Sequence, residues 1–363
     1  MIRWRRGTVT GVRREWSALV ELDVDVAGEA APALALAYLP LVGRPEPGDE
    51  VLLNTTALAQ GLGTGGYALV VAVPGRLPAD PAGPGHIVKA RYTPQQATVL
   101  GVDEPDSPHH ATLRDADSLD AMPVVVADLH SALPGILAGL RADRPAARAA
   151  YVMTDGAALP AWFSRTVAGL RAAGWLVGSV SVGQAFGGDL DAVSLHSGLL
   201  AARHVLRADV TVVAQGPGNL GTDTRWGFSG VAAGDAVNAA ATLGGAPVAS
   251  LRVSATDPRE RHRGVSHHSL TAYGRVALTA ADVVVPRLDG PFGAQVRAQA
   301  ASLGVAGGGR HRLVEVDVAG LADALRRCPV ELVTMGRGLD DDPTPFLAAA
   351  AAGRHAATLI PPH

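Results

Sequence analysis

Residues 210–222 read Val-Thr-Val-Val-Ala-Gln-Gly-Pro-Gly-Asn-Leu-Gly-Thr, an apolar β-branched run that ends in a glycine-rich turn. Such a run is typical of a strand buried on both faces of a parallel sheet. Seven similar runs lie between residue 122 and the end of the chain: Pro123–Ala127, Ala150–Thr154, Leu176–Val182, Val248–Val253, Asp282–Pro286, Leu313–Val316 and Glu331–Thr334.

Helical patterns separate most of these runs, among them Leu159–Ala173 and Phe228–Leu243, and each of these two is closed by glycine. Alternating strands and helices predict an α/β domain with a mostly parallel sheet in three layers. Eight units would also suit an eightfold βα barrel, but their uneven lengths favour the open sheet.

The first 75 residues show a different pattern, with short strands between close turns. Thr8–Val12 and Ser17–Val26 are predicted to pair as a hairpin, and Leu34–Val42 is a third strand. The glycine-rich stretch 61–66 predicts a hairpin loop. Short strands at this spacing indicate a small barrel. The predicted organisation is a small β-barrel at 1–75, a linker and connector at 76–121, and an α/β domain at 122–363.

Composition narrows the class of protein. Hydrophobic residues make up 48% of the chain, which is enough for large buried cores. The net charge of −3 predicts no strong electrostatic attraction to nucleic acid or to an anionic membrane. Cys328 is the only cysteine, which excludes an intrachain disulfide and a cysteine-based zinc site. No apolar run reaches the ~20 residues of a membrane span. We expect a cytoplasmic protein without membrane contact, whose Ala/Gly-rich helices would allow a homo-oligomer.

The glycine-rich turn supplies the first candidate ligand-binding residues. Glycines let a backbone approach a ligand closely, and consecutive amides in such turns bind anions. The carboxyl ends of strands are also where open α/β sheets bind ligands. The spacing matches neither a Walker loop nor a dinucleotide fingerprint, and an ordinary β-to-α loop is the alternative. The predicted anion-binding residues here are Gly216, Gly218, Asn219, Gly221 and Thr222.

A dense polar segment at 259–269 follows the predicted strand Val248–Val253. Its arginines would bind an anion through paired N–H groups, and its two adjacent histidines would move protons near neutral pH or bind a metal. Adjacent helical residues project about 100° apart, so we expect one of the two histidines to point into the site. A solvated basic loop before a helix capped by Ser266 is the alternative. The candidates are Arg259, Arg261, Arg263, His267 and His268.

Lys89 is the only lysine in a chain with 31 lysines and arginines. Lysine is a compact charge that can lose its proton when buried, whereas arginine stays charged. Lys89 is therefore predicted to complete the anion site or stabilise developing negative charge, unless it survived by chance. Asp155, or else Asp128, is predicted to orient the proton-moving histidine.

Three residues are candidate metal ligands. Asp128 and His130 follow a strand at i and i+2 and would face one side of an extended segment. His109 lies in a proline-rich loop that would deliver it to the same site. Carboxylate and imidazole suit a metal ion, although helix capping or a surface loop would also explain these residues. The sequence identifies no cofactor.

Four motifs carry a family resemblance: Gly85-His-Ile-Val-Lys-Ala-Arg-Tyr-Thr93, Ser107-Pro-His-His110, Gly216-Pro-Gly-Asn-Leu-Gly-Thr222 and Arg261-His-Arg-Gly-Val-Ser-His-His-Ser269. They resemble an uncharacterised bacterial family of actinobacteria and firmicutes that is catalogued as a domain of unknown function. The resemblance covers nearly the whole chain. It implies a cytoplasmic bacterial protein and brings no activity, cofactor or catalytic residue.

The functional hypothesis is an enzyme, a hydrolase or transferase, that acts on a small anionic metabolite such as a phosphorylated one. Its alternative is a ligand-sensing or nucleic-acid-associated protein whose barrel binds a partner through Arg5, Arg6 and Trp16. A third hypothesis is a scaffold whose glycines serve turns alone.

Overall fold

The computed structural model describes residues 1–62 and 65–361. The chain forms two compact units, Met1–Val99 and Leu100–His363. Of the predicted connector, residues 76–99 are part of the first unit and 100–121 are part of the second. The predicted hairpin loop at 61–66 includes residues 63 and 64, which lie outside the described residues. No described helix is both long enough and apolar enough to cross a membrane.

The first unit contains a closed five-stranded barrel, which confirms the predicted small β-barrel. Its strands β1 to β5 are Trp4–Trp16, Leu19–Val26, Ala33–Tyr38, Glu50–Asn54 and Ala68–Ala72. Their order is β1-β2-β3-β5-β4; the β3–β5 pair is parallel and the other pairs are antiparallel. The remaining labelled elements are helices α1 (Leu39–Val42) and α2 (Thr56–Ala59) and the strand pair β6 (Ile87–Lys89) and β7 (Ala97–Val99).

One predicted barrel strand is shorter than expected. The strand predicted over Leu34–Val42 ends at Tyr38, and Leu39–Val42 is helical. Pro40 explains the change, because proline donates no backbone hydrogen bond to a sheet and is favoured in the first turn of a helix.

A carboxylate is buried in the barrel unit. Glu21 on β2 has no exposed surface, and its Oε2 accepts hydrogen bonds from Tyr67 Oη at 2.8 Å and Arg14 Nε at 3.0 Å. A buried charge is costly unless it is paired and hydrogen-bonded. The Tyr67 hydroxyl therefore stabilises this unit.

Replacing Tyr67 with phenylalanine should lower the free energy of unfolding of the first unit by about 1.5 kcal/mol, because a buried charged acceptor loses a donor while the ring still packs. Calorimetric unfolding would measure the change. Tyr92→Phe is the matched control, since the Tyr92 side chain is exposed, and it should stay within about 0.5 kcal/mol. Equal effects of the two variants would contradict the assignment.

The second unit contains an eight-stranded sheet in which every neighbouring pair is parallel. Its strands are β8 (Pro123–Val126), β9 (Ala149–Thr154), β10 (Gly178–Ser181), β11 (Leu190–Asp191), β12 (Val210–Gln215), β13 (Ala246–Ser250), β16 (Asp282–Arg287) and β17 (Arg312–Asp317). Two small antiparallel pairs complete the described strands: β14 (Val253–Ser254) with β15 (Gly264–Val265), and β18 (Val333–Thr334) with β19 (Arg337–Gly338).

Nine α-helices are described in this unit: α3 (His110–Leu113), α4 (Leu133–Asp143), α5 (Arg165–Ala172), α6 (Leu195–His204), α7 (Ala233–Thr242), α8 (His267–Thr271), α9 (Gly290–Ala301), α10 (Leu321–Arg326) and α11 (Thr344–Leu359). The helix predicted over Phe228–Leu243 begins with the 3-10 turn Ser229–Ala232. In the helix predicted over Leu159–Ala173, the 3-10 turn Ala161–Phe163 is separated from α5 by Ser164, whose backbone is extended and whose side chain caps α5. A π-helical turn, Ala272–Val276, extends α8.

Two hydrophobic cores confirm the three-layer arrangement. Val124 and Val126 of β8 pack in one core with α6, α7 and α9, whereas Val125 and Ala127 pack in the other with α4, α10 and α11. Successive strand residues point to opposite faces, so helices cover both sides of the sheet. The sheet runs β11-β10-β9-β12-β8-β13-β16-β17 with two edges, and the alternative of a closed eightfold barrel was wrong.

The eighth strand of the sheet was misassigned from sequence. Glu331–Thr334 was predicted to join the sheet, but Val333–Thr334 pairs with Arg337–Gly338 instead. The strand that does join is Leu190–Asp191, which pairs in parallel with β10. Two residues are too short to show a periodic pattern, so pairing with β10 decides its place.

The strand order places a switch point at β8. The chain leaves β12 on one side of β8, forms α7, and returns as β13 on the other side. In open α/β sheets, ligands bind outside the carboxyl ends of the strands at such a point. The loops after β8, β12 and β13 therefore form the candidate site.

Candidate functional site

The glycine-rich loop after β12 has two parts with different constraints. Gly216 packs against the chain, because a Cβ there would lie 2.5 Å from the Ala158 carbonyl oxygen. Gly218 has a φ of +96° and open space around its missing side chain. Beyond Asn219 the loop closes on itself: Gly221 bridges to Phe228, and Thr222 N donates to Gly227 O at 2.7 Å. The structure thus places Gly218 and Asn219 in the accessible part of the predicted anion loop.

Asn219 is held by its own neighbours. Its Oδ1 accepts hydrogen bonds from Gln215 Nε2 at 2.8 Å and Ser229 Oγ at 3.3 Å. Gln215 Nε2 also donates to the Asp128 carbonyl oxygen at 2.8 Å, which ties the loops after β8 and β12 together. Gln215 Oε1 is buried without a hydrogen-bond partner.

A cavity of about 360 Å³, here called the larger cavity, lies beside this loop. It is lined by Leu129, His130, Ser131, Pro134, Thr166, residues 215–219, Glu331, Val333, Thr334 and Met335. Its volume is within the range of small-molecule sites.

A second cavity of about 30 Å³ lies where β8 and β13 end; it is here called the polar cavity after the charged groups that interrupt its mainly apolar lining. Its charged lining residues are Asp128, Arg252, Asp257 and Arg337. Leu129, Ser131, Thr334 and Met335 line both this polar cavity and the larger cavity, so the two adjoin. This volume suits about two water-sized groups, such as the oxygens of an anion.

Asp257 organises the arginines around the polar cavity. It is fully buried and is bound by Arg259 in a two-pronged pair, Nε to Oδ1 and Nη2 to Oδ2, both at 2.9 Å. Arg337 Nη2 donates to Oδ2 at 3.1 Å, and Arg252 Nη2 lies 3.8 Å from the same oxygen. Burial opposes ionisation of Asp257, but the hydrogen bonds from Arg259 and Arg337 outweigh it and lower its pKa.

The three arginines predicted to bind an anion are all engaged within the protein. Arg259 is paired with Asp257, Arg261 with Asp223, and Arg263 donates from Nε to the Asp257 carbonyl oxygen at 3.0 Å. The spacing of these arginines in the sequence does not show that Arg259 and Arg263 contact the buried Asp257. The arginines with unpartnered buried nitrogens are instead Arg252 (Nη2) and Arg337 (Nε).

One feature of the sequence could have identified Arg252 as a candidate site residue. Arg252 is the charged residue inside the apolar run Val248–Val253, and a charge there has to meet a partner. Burial lowers its pKa from the ordinary arginine value. Arg337 gave no comparable signal, because it lies on a two-residue strand far along the chain.

Three imidazoles lie together beside the polar cavity, here called the histidine cluster: His262, His267 and His268. Their ring centroids are 4.5 to 5.0 Å apart, and one ring nitrogen from each lies within 4.8 Å of the others. His267 and His268, of which one was expected to point into the site, both belong to the cluster, because α8 begins at His267 and the 3-10 turn Glu260–His262 brings a third ring against both.

Local contacts fix these rings. Ser266 caps α8 as predicted, accepting from His268 N at 3.2 Å, and its Oγ lies 2.7 Å from His262 Nδ1. Phe228 stacks on His268 with ring centroids 3.8 Å apart and an interplanar angle of 3°. Burial and then the charge of Arg252 lower the pKa of His262 to about 3. Burial and then His268 lower the pKa of His267 to about 4, so both rings are neutral at pH 7.

Asp128 is the carboxylate that meets the histidine cluster. Its Oδ2 lies 3.7 Å from His268 Nδ1, and this oxygen is buried without a hydrogen bond. Arg252 Nη1 lies 3.3 Å from the same Nδ1. Asp155 is placed differently: it is exposed, and its Oδ2 accepts from Gln184 N at 2.8 Å, which joins the loops after β9 and β10.

His130 is occupied by hydroxyl groups. Its Nδ1 lies 3.0 Å from Tyr151 Oη and its Nε2 lies 2.8 Å from Ser164 Oγ. Tyr151 donates its proton to a carbonyl oxygen, so it accepts from Nδ1, while Ser164 donates to Nε2. Burial lowers the pKa of His130 to about 4, consistent with this neutral form. The predicted metal ligand His130 therefore has no free nitrogen in this arrangement.

The other predicted residues lie elsewhere. His109 precedes α3, and no described hydrogen bond or ion pair joins it to the histidine cluster. Lys89 ends β6 in the first unit, where its side chain is buried. In the barrel, Arg3 and Arg5 pair with Glu29, and Arg6 pairs with Glu50, so carboxylates offset the basic face near the N-terminus.

Comparison with known proteins finds a matching family but no known activity. The family described as protein of unknown function (DUF3866) matches residues 34–353, which is most of the chain. No curated protein and no solved structure matches it.

Proposed function

The chain belongs to this family of unknown function, and from its site we propose that it is an enzyme that binds a small anionic metabolite at the carboxyl edge of the parallel sheet. In this proposal Arg252 and Arg337 bind the anionic group, and the larger cavity holds the rest of the metabolite. Bacterial origin and a cytoplasmic location remain predictions from the resemblance.

One observation carries the proposal. Asp128 Oδ2, Arg252 Nη2 and Arg337 Nε are buried without hydrogen-bond partners, and their three residues line the same polar cavity. Buried polar atoms are nearly always satisfied in proteins, and an unsatisfied charged group costs more than a neutral one. A ligand that accepts from both arginines would satisfy two of these atoms.

The local charge supports an anion over a cation in this cavity. Arg252 and Arg337 line it together with the carboxylates of Asp128 and Asp257, and Arg259 adds a further positive charge by pairing with Asp257. Because Asp257 is already bound by Arg259 from two nitrogens, Arg252 and Arg337 keep donors for a ligand. Guanidinium groups bind planar carboxylates and phosphates through paired N–H groups.

The neighbouring groups support an enzyme. His268 and Asp128 lie beside the anion-binding arginines, with Nδ1 and Oδ2 3.7 Å apart. A carboxylate next to an imidazole serves proton transfer or orients a metal-binding histidine. The predicted contribution of Lys89 to the same anion remains a hypothesis.

A thermal-shift screen of carboxylated and phosphorylated metabolites tests the proposal. A bound anion at about 100 times its Kd should stabilise the protein by about 2.7 kcal/mol. Arg337→Ala should abolish this shift, because a donor to the anion is lost. Arg310→Ala is the matched control: Arg310 is exposed, with no described ion pair, and its loss should leave the shift unchanged.

Two outcomes would count against the proposal. If no anion shifts the midpoint, or if Arg337→Ala keeps the full shift, the arginines do not form the binding site. If an anion binds but is recovered chemically unchanged after long incubation, the ligand-sensing alternative replaces the enzyme.

A further inference from the structure

We propose that His262, His267 and His268 bind one divalent transition-metal ion of the Zn²⁺ type. This inference goes beyond the anion site and does not depend on it. The three imidazoles provide the nitrogen ligands that Zn²⁺, Co²⁺ and Ni²⁺ accept, whereas Mg²⁺ and Ca²⁺ prefer oxygen.

The spacing of the histidine cluster is close to that of a metal site. One nitrogen from each ring lies within 4.8 Å of the others. Zn–N bonds of about 2.0 Å in a tetrahedral arrangement hold the nitrogens roughly 3.3 Å apart. Small ring rotations would close the difference, and metal sites commonly tighten in this way when the ion binds.

Each ring nitrogen is used in a way that suits a ligand. His262 Nδ1 is hydrogen-bonded to Ser266 Oγ at 2.7 Å, which leaves Nε2 for an ion. His267 Nε2 is buried without a hydrogen bond. Metal-bound histidines almost always fix one nitrogen on a protein group and bind the ion with the other.

His268 also has a protein group beside one ring nitrogen, and Asp128 would be its outer partner. Arg252 Nη1 donates to His268 Nδ1 at 3.3 Å in the metal-free arrangement. Binding of an ion at Nε2 requires the tautomer whose single ring proton is on Nδ1, so the contact with Arg252 would be given up. Asp128 Oδ2, unpartnered and 3.7 Å away, would then accept from Nδ1.

The surroundings shield the cluster and balance its charge. His262 is 1% and His268 6% exposed, and Phe228 stacks over His268. Nearby Arg261 is paired with Asp223, and Arg259 with Asp257, so these guanidinium charges are offset. Arg252 lies against His268, and the carboxylate of Asp128 faces both this guanidinium and a bound cation.

Three protein ligands would leave a fourth position open, as in catalytic zinc sites. A water molecule would be the fourth ligand.

Titration of tag-free, chelator-treated, full-length protein with Co²⁺ tests the site directly. We expect one equivalent of Co²⁺ to produce visible ligand-field absorption, Zn²⁺ to displace it, and Mg²⁺ to leave it unchanged. His267→Ala should weaken Co²⁺ binding at least about 100-fold. His267 is the safest ligand to replace, because its Nε2 holds no partner.

Two further variants separate the interpretations. His196→Ala removes an exposed histidine on α6 and should bind Co²⁺ as the unaltered protein does. Arg337→Ala should also keep the Co²⁺ site while losing anion binding, so the two proposals fail separately. No stoichiometric Co²⁺ or Zn²⁺ binding, or binding unchanged in His267→Ala, would overturn the metal site.

Discussion

Replacing Gly139 with alanine should lower the free energy of unfolding of the second unit by about 3 kcal/mol. Helices α4 and α11 pack closely, and a Cβ on Gly139 would lie 1.8 Å from the Ala350 carbonyl oxygen. Gly353 makes the reciprocal contact, since a Cβ there would lie 1.8 Å from Ile136 O. Both obstacles are backbone atoms, so the helices have to move apart.

The direction of this change in stability tests the close contact between α4 and α11, because helix propensity predicts the opposite direction. By helix propensity alone, alanine in place of a mid-helix glycine would stabilise by about 1 kcal/mol. Gly135→Ala is the matched comparison in the same helix, where the nearest atom to a new Cβ is the Ala349 side chain at 3.0 Å. Its loss of stability should be smaller. Calorimetry showing Gly139→Ala to be neutral or stabilising would refute the close contact between the helices.

Replacing Asp257 with asparagine should destabilise the second unit by about 3 kcal/mol and abolish anion binding. The carboxylate has no exposed surface and holds Arg259 and Arg337, with Arg252 3.8 Å away. Removing one partner of a buried charged network leaves the others uncompensated. The guanidinium groups would then move, and the polar cavity would lose its geometry.

Acid unfolding provides a second readout for Asp257. The pKa of Asp257 in the folded protein lies below its ordinary value of 3.8. The carboxylate therefore stabilises the folded protein at pH values above 3.8, and this contribution is lost as the pH falls toward the lowered pKa. Asparagine does not titrate, so the Asp257→Asn variant should lose less stability than the unaltered protein between neutral pH and pH 3. Asp120→Asn, which breaks an exposed pair with Arg203, should change stability by at most about 1 kcal/mol and keep the acid dependence.

Much of the fold could be predicted because its signals are local. Most strands of the parallel sheet coincide with short apolar runs that are visible in the sequence, and most of these runs have a helical pattern after them. Local patterns did not predict which strands belong to the parallel sheet, because membership depends on tertiary pairing. Leu190–Asp191 joins the sheet, whereas Val333–Thr334 does not. Pairing depends on a partner strand, which no short run of sequence contains.

The candidate site was predictable in position and less so in composition. Gly218, His267 and His268 lie in loops or helix starts that follow predicted strands, so the carboxyl edge of the sheet could be named from sequence. Arg259 and Arg261 were predicted to bind an anion, whereas each pairs with an aspartate whose position as a partner is visible only in the folded chain.

The sequence by itself determined most of the strands and helices and the edge of the sheet that carries polar residues, since periodicity and turn residues act over a few positions. The tertiary structure alone decided which charges meet. Asp128 and His268 are far apart in the chain, yet the crossover around β8 brings them within 3.7 Å. In a buried site a group's behaviour depends on the partners that replace water, and the strand order selects those partners.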